Sequence, residues 1–372
     1  MVNTKPYLFN RAAIIGLGLI GGSLGMAFIQ RNLIAEVVGI DLNEETIQSG
    51  MTLRAIHWGT TDQREGIKGA DLVILGTPVN QIVPTALAIA DCLAPGVIVS
   101  DVGSTKTGIV NRLEECLPGH VLFVGGHPMA GSEQQGVQNA DPYLFENAVY
   151  VLTPTPKSSP QAVDRLQRLF EGIGAHVLQL SPTEHDLLVA AVSHLPHLVA
   201  MNLVNTVGKI AEKHPITWQL AAGGFRDTTR IASGDPALWR DICTANREPI
   251  RQCLHLFRES LDSLIHDLET GADEKILAGL IRAKDLRTVI PEKKKGLLPG
   301  IFEVVVNVPD RPGMIAQIAN SLGERGLNIA DIEILRVREG DGGTIRLGFT
   351  REETAASAFE TLREQGLVAR RR

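Results

Sequence analysis

The chain has 372 residues, with 36 Lys and Arg against 42 Asp and Glu and a formal net charge of −6. That length holds two or three domains with sizeable cores, and the acidic balance argues against a nucleic-acid partner. Cys92, Cys116, Cys243 and Cys253 show no CxxC or zinc spacing, so no metal site is expected, and they read as small core residues of a cytoplasmic chain. The N-terminus, MVNTKPYLFNR, has no signal-peptide run, and no membrane-length span is expected elsewhere.

The apolar run Ala12–Ile15 enters Gly16-Leu17-Gly18-Leu19-Ile20-Gly21-Gly22-Ser23, a helix-compatible segment follows to Gln30, and Val37–Asp41 reads as a second strand ending in an acid. GxGxxG alone is a weak signal in a chain with 37 glycines. Here it stands between strand and helix, with Asp41 20 residues past Gly21, which completes the dinucleotide fingerprint. Gly16 permits the turn, Gly18 lets backbone approach a pyrophosphate, and Gly21 allows close helix–strand packing, while the helix N-terminus favours the anion. Asp41 suits a ribose 2′-OH and would repel a 2′-phosphate. The expected cofactor is NAD rather than NADP, held by Gly16, Gly18, Leu19, Ile20, Gly21 and Asp41.

Further strands are expected at Asp71–Leu75, Gly96–Asp101, Val121–Gly126 and Ala148–Leu152, alternating with helical segments. The pattern is a doubly wound, Rossmann-type parallel sheet. Thr77, Pro78, Ser104 and His127 follow strand ends and should face one crevice with Gly16–Gly21. Each has a plainer alternative: Thr77-Pro78 as a strand-to-helix turn, Ser104 as a helix N-cap, His127 as a structural histidine in GGHPMAGSEQQG.

At Ser181 the character changes. Ser181-Pro182-Thr183-Glu184 is a capping box, and Thr183–Lys213 is apolar on almost every face, as a helix buried in a core or between subunits would be. His194 and His197 lie within it, one expected as a satisfied core histidine and the other facing the cleft, with Pro196 expected to kink the helix. Arg226, Asp227 and Arg230 cluster after two glycines, where a guanidinium paired with Asp227 would suit carboxylate binding. Asp235-Pro236 caps a helix bearing Trp239, and helical patterns run on to Val289. The expected domains are 1–180, a nucleotide-binding sheet; 181–290, all-helical; 291–300, a linker, PEKKKGLLPG; and 301–372, a small βαββαβ, ferredoxin-like module.

The motifs GLGLIGGS, DVGST, GGHPMAGSE, SHLPH and GGFRDTTRIA with DPALWRDI, followed by VPDRPGMIAQIANSLGERGLNI, occur in one order. Together they resemble prephenate dehydrogenase with a C-terminal ACT module, from about residue 11 to the end. The resemblance implies oxidative decarboxylation of prephenate to 4-hydroxyphenylpyruvate with NAD, in tyrosine biosynthesis. It makes His127 the catalytic histidine and Ser104 its hydrogen-bonding neighbour. His197 and Arg230 would contact substrate, Asp227 would orient the site, and Ser132 and Glu133 would line its entrance. Trp239 would reach the other subunit's site in a homodimer. Arg311, Pro312, Gly313 and Asn328 would bind an amino-acid effector, tyrosine first. Gln134 departs from the lysine that relatives often carry. No chorismate mutase segment precedes the sheet, so a bifunctional enzyme is not expected.

Four other readings compete. A β-hydroxyacid dehydrogenase needs a catalytic lysine in the helical domain, where Lys209 and Lys213 lie at a helix end. An arogenate dehydrogenase would place a carboxylate beside the substrate amine. A Ser104–His127 hydrolase lacks the GxSxG elbow. An NAD- and amino-acid-sensing regulator would turn over no cyclohexadienol.

Overall fold

The computed structural model describes residues 7–131, 134–289, 302–309, 311–335 and 343–371. Ser132, Glu133 and the linker 291–300 lie outside the described residues. The chain divides into two compact units, Met1–Ala283 and Lys284–Arg372.

The first unit holds an eight-stranded sheet of β1 (Phe9–Ile15), β2 (Ile34–Ile40), β3 (Trp58–Thr60), β4 (Leu72–Leu75), β5 (Ile98–Asp101), β6 (Leu122–Pro128), β7 (Val149–Thr153) and β8 (His176–Gln179). Their order is β3-β2-β1-β4-β5-β6-β7-β8. β1 pairs in parallel with β2 and β4, so Ile15 stands opposite both Ile40 and Leu75. The sheet is not wholly parallel: β7 runs antiparallel to β6, with His127 opposite Val151. β3 and β8 escape the sequence reading because each is short and only partly buried or exposed. Successive side chains of β1 enter different cores. Ile14 joins Leu24, Phe28, Tyr150 and Phe170, while Ile15 joins Val73, Ile82, Ile109 and Leu113. Burial on both faces is why these strands read as unbroken apolar runs.

After β8, Ser181 caps a helix, accepting from the Glu184 amide, with Pro182 in its first turn. The helix Pro182–Val189 passes through a π-helical turn, Ala190–His194, into Leu195–Ala211. Pro196 lacks the N–H that a regular turn would donate, and its ring crowds the carbonyl four residues back; the wider turn just before it absorbs the mismatch. Pro182–Ala211 is long and apolar enough, by length and composition, to cross a membrane, which corrects the sequence expectation of no such span. Within one chain it is buried on one side only, through His185, Val189, Ala190, His194, His197 and Ala200, while Val192 is 70% exposed. Pro236–Ala245, Arg247–Thr270 and Asp273–Val289 follow as helices, and Leu256, Ile265, Leu268 and Leu280 remain exposed. Cys253 is buried as expected of the cysteines, but Cys92 is exposed and hydrogen-bonded by Arg64, because it sits on a surface turn.

The second unit contains β9 (Phe302–Val308), the helix Met314–Gly323, β10 (Asp331–Leu335), β11 (Gly343–Phe349), the helix Glu352–Glu364 and β12 (Val368–Arg371). Its sheet has the order β10-β11-β9-β12, every pair antiparallel. One face carries Val304, Val306, Ile345, Leu347 and Phe349 against Ile318, Leu322 and Leu362 of the helices. This is the expected βαββαβ module.

Candidate active site

The glycine-rich turn leaves β1 and opens α1 (Leu19–Gln30), with Gly18 at its N-cap. Gly16 has φ +97°, and a Cβ there would lie 2.7 Å from the backbone of Gly76. A Cβ on Gly21 would lie 2.1 Å from the Gly16 carbonyl oxygen. Both positions therefore exclude larger residues. Gly18 is different: a Cβ would meet nothing within 4 Å, so the space above the helix N-terminus is open to a ligand. Leu19 and Ile20 form the helix's half-buried first turn. Asp41, just past β2, accepts from the Leu17 amide at 2.9 Å and the Asn43 amide at 3.0 Å. Those bonds fix a carboxylate beside the turn, where a ribose would lie. Thr77 and Pro78 follow β4, and Thr77 Oγ1 is a buried hydroxyl with no partner among the described residues. An orphan hydroxyl at this edge and the open approach over Gly18 fit a bound dinucleotide.

His127 stands near the carboxyl end of β6, three strand spacings (roughly 14 Å) from β1 along the sheet. The glycines before it have a specific cause. A Cβ on Gly125 would lie 2.4 Å from Thr153 Oγ1, and one on Gly126 would lie 2.6 Å from the Asp101 carbonyl oxygen. Beneath them, the fully buried Lys106 ammonium is paired with Asp101 and donates to the Gly126 carbonyl at 2.8 Å. Asp101 in turn accepts from the Gly103 and Gly126 amides. This ion pair ties β5 to β6 just behind the histidine.

The ring of His127 is half-buried. Its Nδ1 lies 2.8 Å from His185 Nε2, and among the described residues its Nε2 has no partner. His185 Nδ1 lies 2.9 Å from Asp186 Oδ1, and the Asp186 carboxylate also accepts the Lys106 and Thr107 amides at 2.7 and 2.8 Å. Burial, then the nearness of His185, Lys106 and His194, holds His127 well below the usual histidine range. Burial raises the Asp186 carboxyl, but the hydrogen bonds from His185, Thr107 and Lys106 outweigh it and keep the group below its ordinary value.

Of the SHLPH pair, His194 is the core histidine: it is 2% exposed, with Nδ1 3.1 Å from Asn246 Nδ2, and burial lowers it to about 4. His197 stacks on Trp239 of the same chain, ring centroids 3.4 Å apart at 12°. Gly234 makes room for the stack, since a Cβ there would lie 2.8 Å from Trp239 Nε1. Arg226, Asp227 and Arg230 are exposed, and no ion pair joins them among the described residues. The expected Asp227–guanidinium pair is thus absent; Arg226 and Asp227 are consecutive on a short helix and do not face each other. Ser104 is half-buried in the turn after β5, and among the described residues it makes no hydrogen bond to His127. His185 occupies the Nδ1 side of that ring instead.

His185, Asp186, Lys106, Asp101 and Asn246 escaped the sequence reading. One signal was there: His185 and Asp186 are polar residues that lead directly into the apolar run starting at Leu187. Lys106 and Asp101 gave none, because a charge at a strand end or in the loop after it reads as solvated until the fold buries it.

Residues 26–179 match the family model for the prephenate dehydrogenase nucleotide-binding domain, and residues 181–282 that for its dimerization domain. Residues 302–365 match the ACT domain. The prephenate dehydrogenase of Bacillus subtilis (strain 168) is 37% identical over 353 residues, covering 94% of each chain. The chain belongs to the prephenate dehydrogenase family. A relative of the same name from Lactococcus lactis subsp. cremoris (strain MG1363) is 34% identical, covering 94% of this chain and 96% of that one. The A. aeolicus prephenate dehydrogenase, solved with hydroxyphenyl propionate and NAD+, superposes with a TM-score of 0.72 at 32% identity, covering 78% of this chain and all of that one. The Synechocystis arogenate dehydrogenase superposes at 0.68 with 31% identity, covering 76% of this chain and 100% of that one. The exposed leucines of the helical region belong to this family's dimerization domain.

Proposed function

We infer that this chain catalyses the NAD+-dependent oxidative decarboxylation of prephenate to 4-hydroxyphenylpyruvate, as a cytoplasmic homodimer in tyrosine biosynthesis. The observation that carries the reading is His127: a histidine held neutral at the carboxyl edge of the sheet, Nδ1 engaged and Nε2 without a partner among the described residues. When bound, NAD+ supplies the hydride acceptor. Gly16, Gly18, Leu19, Ile20 and Gly21 form its phosphate turn, Asp41 takes the ribose, and Thr77 and Pro78 line its path.

His127 Nε2 accepts the proton of the ring hydroxyl as hydride leaves the same carbon, a general-base contribution of roughly 10²–10⁴-fold. The ring carboxylate then departs as CO2, and its electron pair passes through the ring to the oxygen, which regains a proton as the product phenol. Aromatisation makes the step irreversible. Arg230 binds a substrate carboxylate and His197 the side chain, Asp227 orients the site, Trp239 serves the site of the other subunit, Ser104 is the neighbour of the base, and Ser132 and Glu133 are assigned to the entrance. Arg311, Pro312 and Gly313 with Asn328 bind tyrosine: all four are exposed, and Gly313, at φ +92°, opens the helix Met314–Gly323. NADH formation from prephenate and from arogenate is the test, with CO2 release followed in parallel. Turnover of prephenate in preference to arogenate is expected. The reverse preference would make the chain an arogenate dehydrogenase, and no turnover of either would remove the reading.

A further inference from the structure

His127 ends a hydrogen-bonded row. From its Nδ1 the row runs 2.8 Å to His185 Nε2, and from His185 Nδ1 2.9 Å to Asp186 Oδ1. His185 is 0% and Asp186 3% exposed, so water does not compete for these bonds. The carboxylate is held on both oxygens by the amides of Lys106 and Thr107, and Asn246 donates to the Asp186 carbonyl at 2.8 Å. An ionised carboxylate only accepts. With His185 neutral, its hydrogen must therefore sit on Nδ1, facing Asp186, which leaves a lone pair on Nε2. That lone pair calls for a hydrogen on His127 Nδ1. The remaining nitrogen of His127, Nε2, is then unprotonated and turned away from the row.

We propose that His185 and Asp186 are positioning residues that hold His127 in the one tautomer able to accept a proton at Nε2, and that Asp186, acting through His185, stabilises the imidazolium formed during turnover. The proposal rests on the reading of His127 as the base. It adds one event to the reaction: the substrate hydroxyl proton moves to His127 Nε2, while the Nδ1 hydrogen stays in its bond to His185. The charged and titratable groups around His127 support this division of labour. His185 and Asp186 come from the helix Pro182–Val189, His194 from the π-helical turn, Asp101 from the end of β5 and Lys106 from the turn after it. Lys106 is matched by Asp101, which leaves Asp186 to balance charge appearing on His127. The same logic governs a Ser-His-Asp triad, where replacing the carboxylate by an amide leaves the histidine in the wrong tautomer.

His185→Phe keeps the ring and removes the acceptor. It should lower kcat by about 10–100-fold, with KM for prephenate and NAD+ within about threefold of wild type, and should displace the acid limb of the kcat profile. His185→Gln can present an amide oxygen near the place of Nε2 and should recover about tenfold over the Phe variant. Nitrogen-15 NMR of histidine-labelled enzyme reads the tautomer without turnover: His127 should carry its hydrogen on Nδ1 in the wild type and on Nε2 in Asp186→Asn. Wild-type kcat and pH profile in His185→Phe would overturn the proposal, as would a hydrogen on His127 Nε2 in the wild type. If His185→Phe does not fold, the wild-type spectrum decides. His127→Asn separates the two readings. Full turnover in that variant removes the base itself, whereas loss of turnover there with none in His185→Phe removes only the row.

Discussion

His194 keeps its neutral form because burial, with His185 and His197 nearby, penalises a charge more than Asp186 favours it. Its folded value of about 4 lies below the unfolded 6.5, so between those values the unfolded chain binds more protons. The stabilising contribution is complete above pH 6.5 and is lost as pH falls towards 4, reaching roughly 2 kcal/mol by pH 5. His194→Gln should flatten this loss, measured as urea midpoints at pH 7 and pH 5. An equal drop in both proteins would place the sensitivity elsewhere. His127 is also depressed, and in its proposed role as base it works unprotonated, so the acid limb of kcat should lie below the usual histidine range. Asp41→Ala removes the acceptor fixed beside the glycine turn. The expected result is about a tenfold loss in kcat/KM with NAD+ and a relaxed preference over NADP+. Native enzyme using both cofactors equally would contradict the role. Arg230→Gln should raise the prephenate KM by about ten- to a hundredfold with little change for NAD+; an unchanged prephenate KM would move the contact, with Arg226 the first candidate.

Asn246 joins three elements at one amide. It precedes the helix Arg247–Thr270, donates to the Asp186 carbonyl and meets His194 Nδ1 in the π-helical turn. It is 1% exposed, so its removal strands His194 Nδ1, while the Asp186 carbonyl keeps the Ala190 amide. Asn246→Ala should cost about 2 kcal/mol, read as a lowered denaturation midpoint, and should reduce kcat by loosening the helix that carries His185. A midpoint shift equivalent to less than about 0.5 kcal/mol, the size of an ordinary surface substitution, would show that the amide is not a tether. The strand-end glycines reflect the same dependence between elements. Gly125 and Gly126 lie within β6, as the expected strand has them, and it is the packing of Thr153 and Asp101 that denies them a side chain.

At the scale of the whole molecule, the helical region exposes apolar side chains that a lone chain would not leave in water, in a segment matching the family's dimerization domain. The ACT unit has its own core and sheet, so a chain ending before Lys295 should keep its dehydrogenase activity. Tyrosine should inhibit the full-length enzyme and not the shortened one; a coupling of about 1–3 kcal/mol is enough. Titrating tyrosine into both forms decides it. Equal inhibition, or none in the full-length chain, would mean that the module does not sense tyrosine.

The fold class and the dinucleotide turn were legible in the residues because both rest on local rules. Apolar runs mark strands buried on two faces, and Gly16, Gly21 and Asp41 satisfy backbone demands that recur at fixed spacing. His127 was legible for the same reason, as the residue a glycine-lined strand end presents. The antiparallel β7 and the short β3 and β8 were not, since pairing depends on neighbours far along the chain. Nor were His185, Asp186 and the Lys106–Asp101 pair. Their roles come from burial and from contacts across 58 residues, as between His127 and His185, or 80, as between Lys106 and Asp186. The sequence by itself determined which chemistry the chain carries; the tertiary structure alone decided which groups face His127, because only packing removes the water that would otherwise screen them.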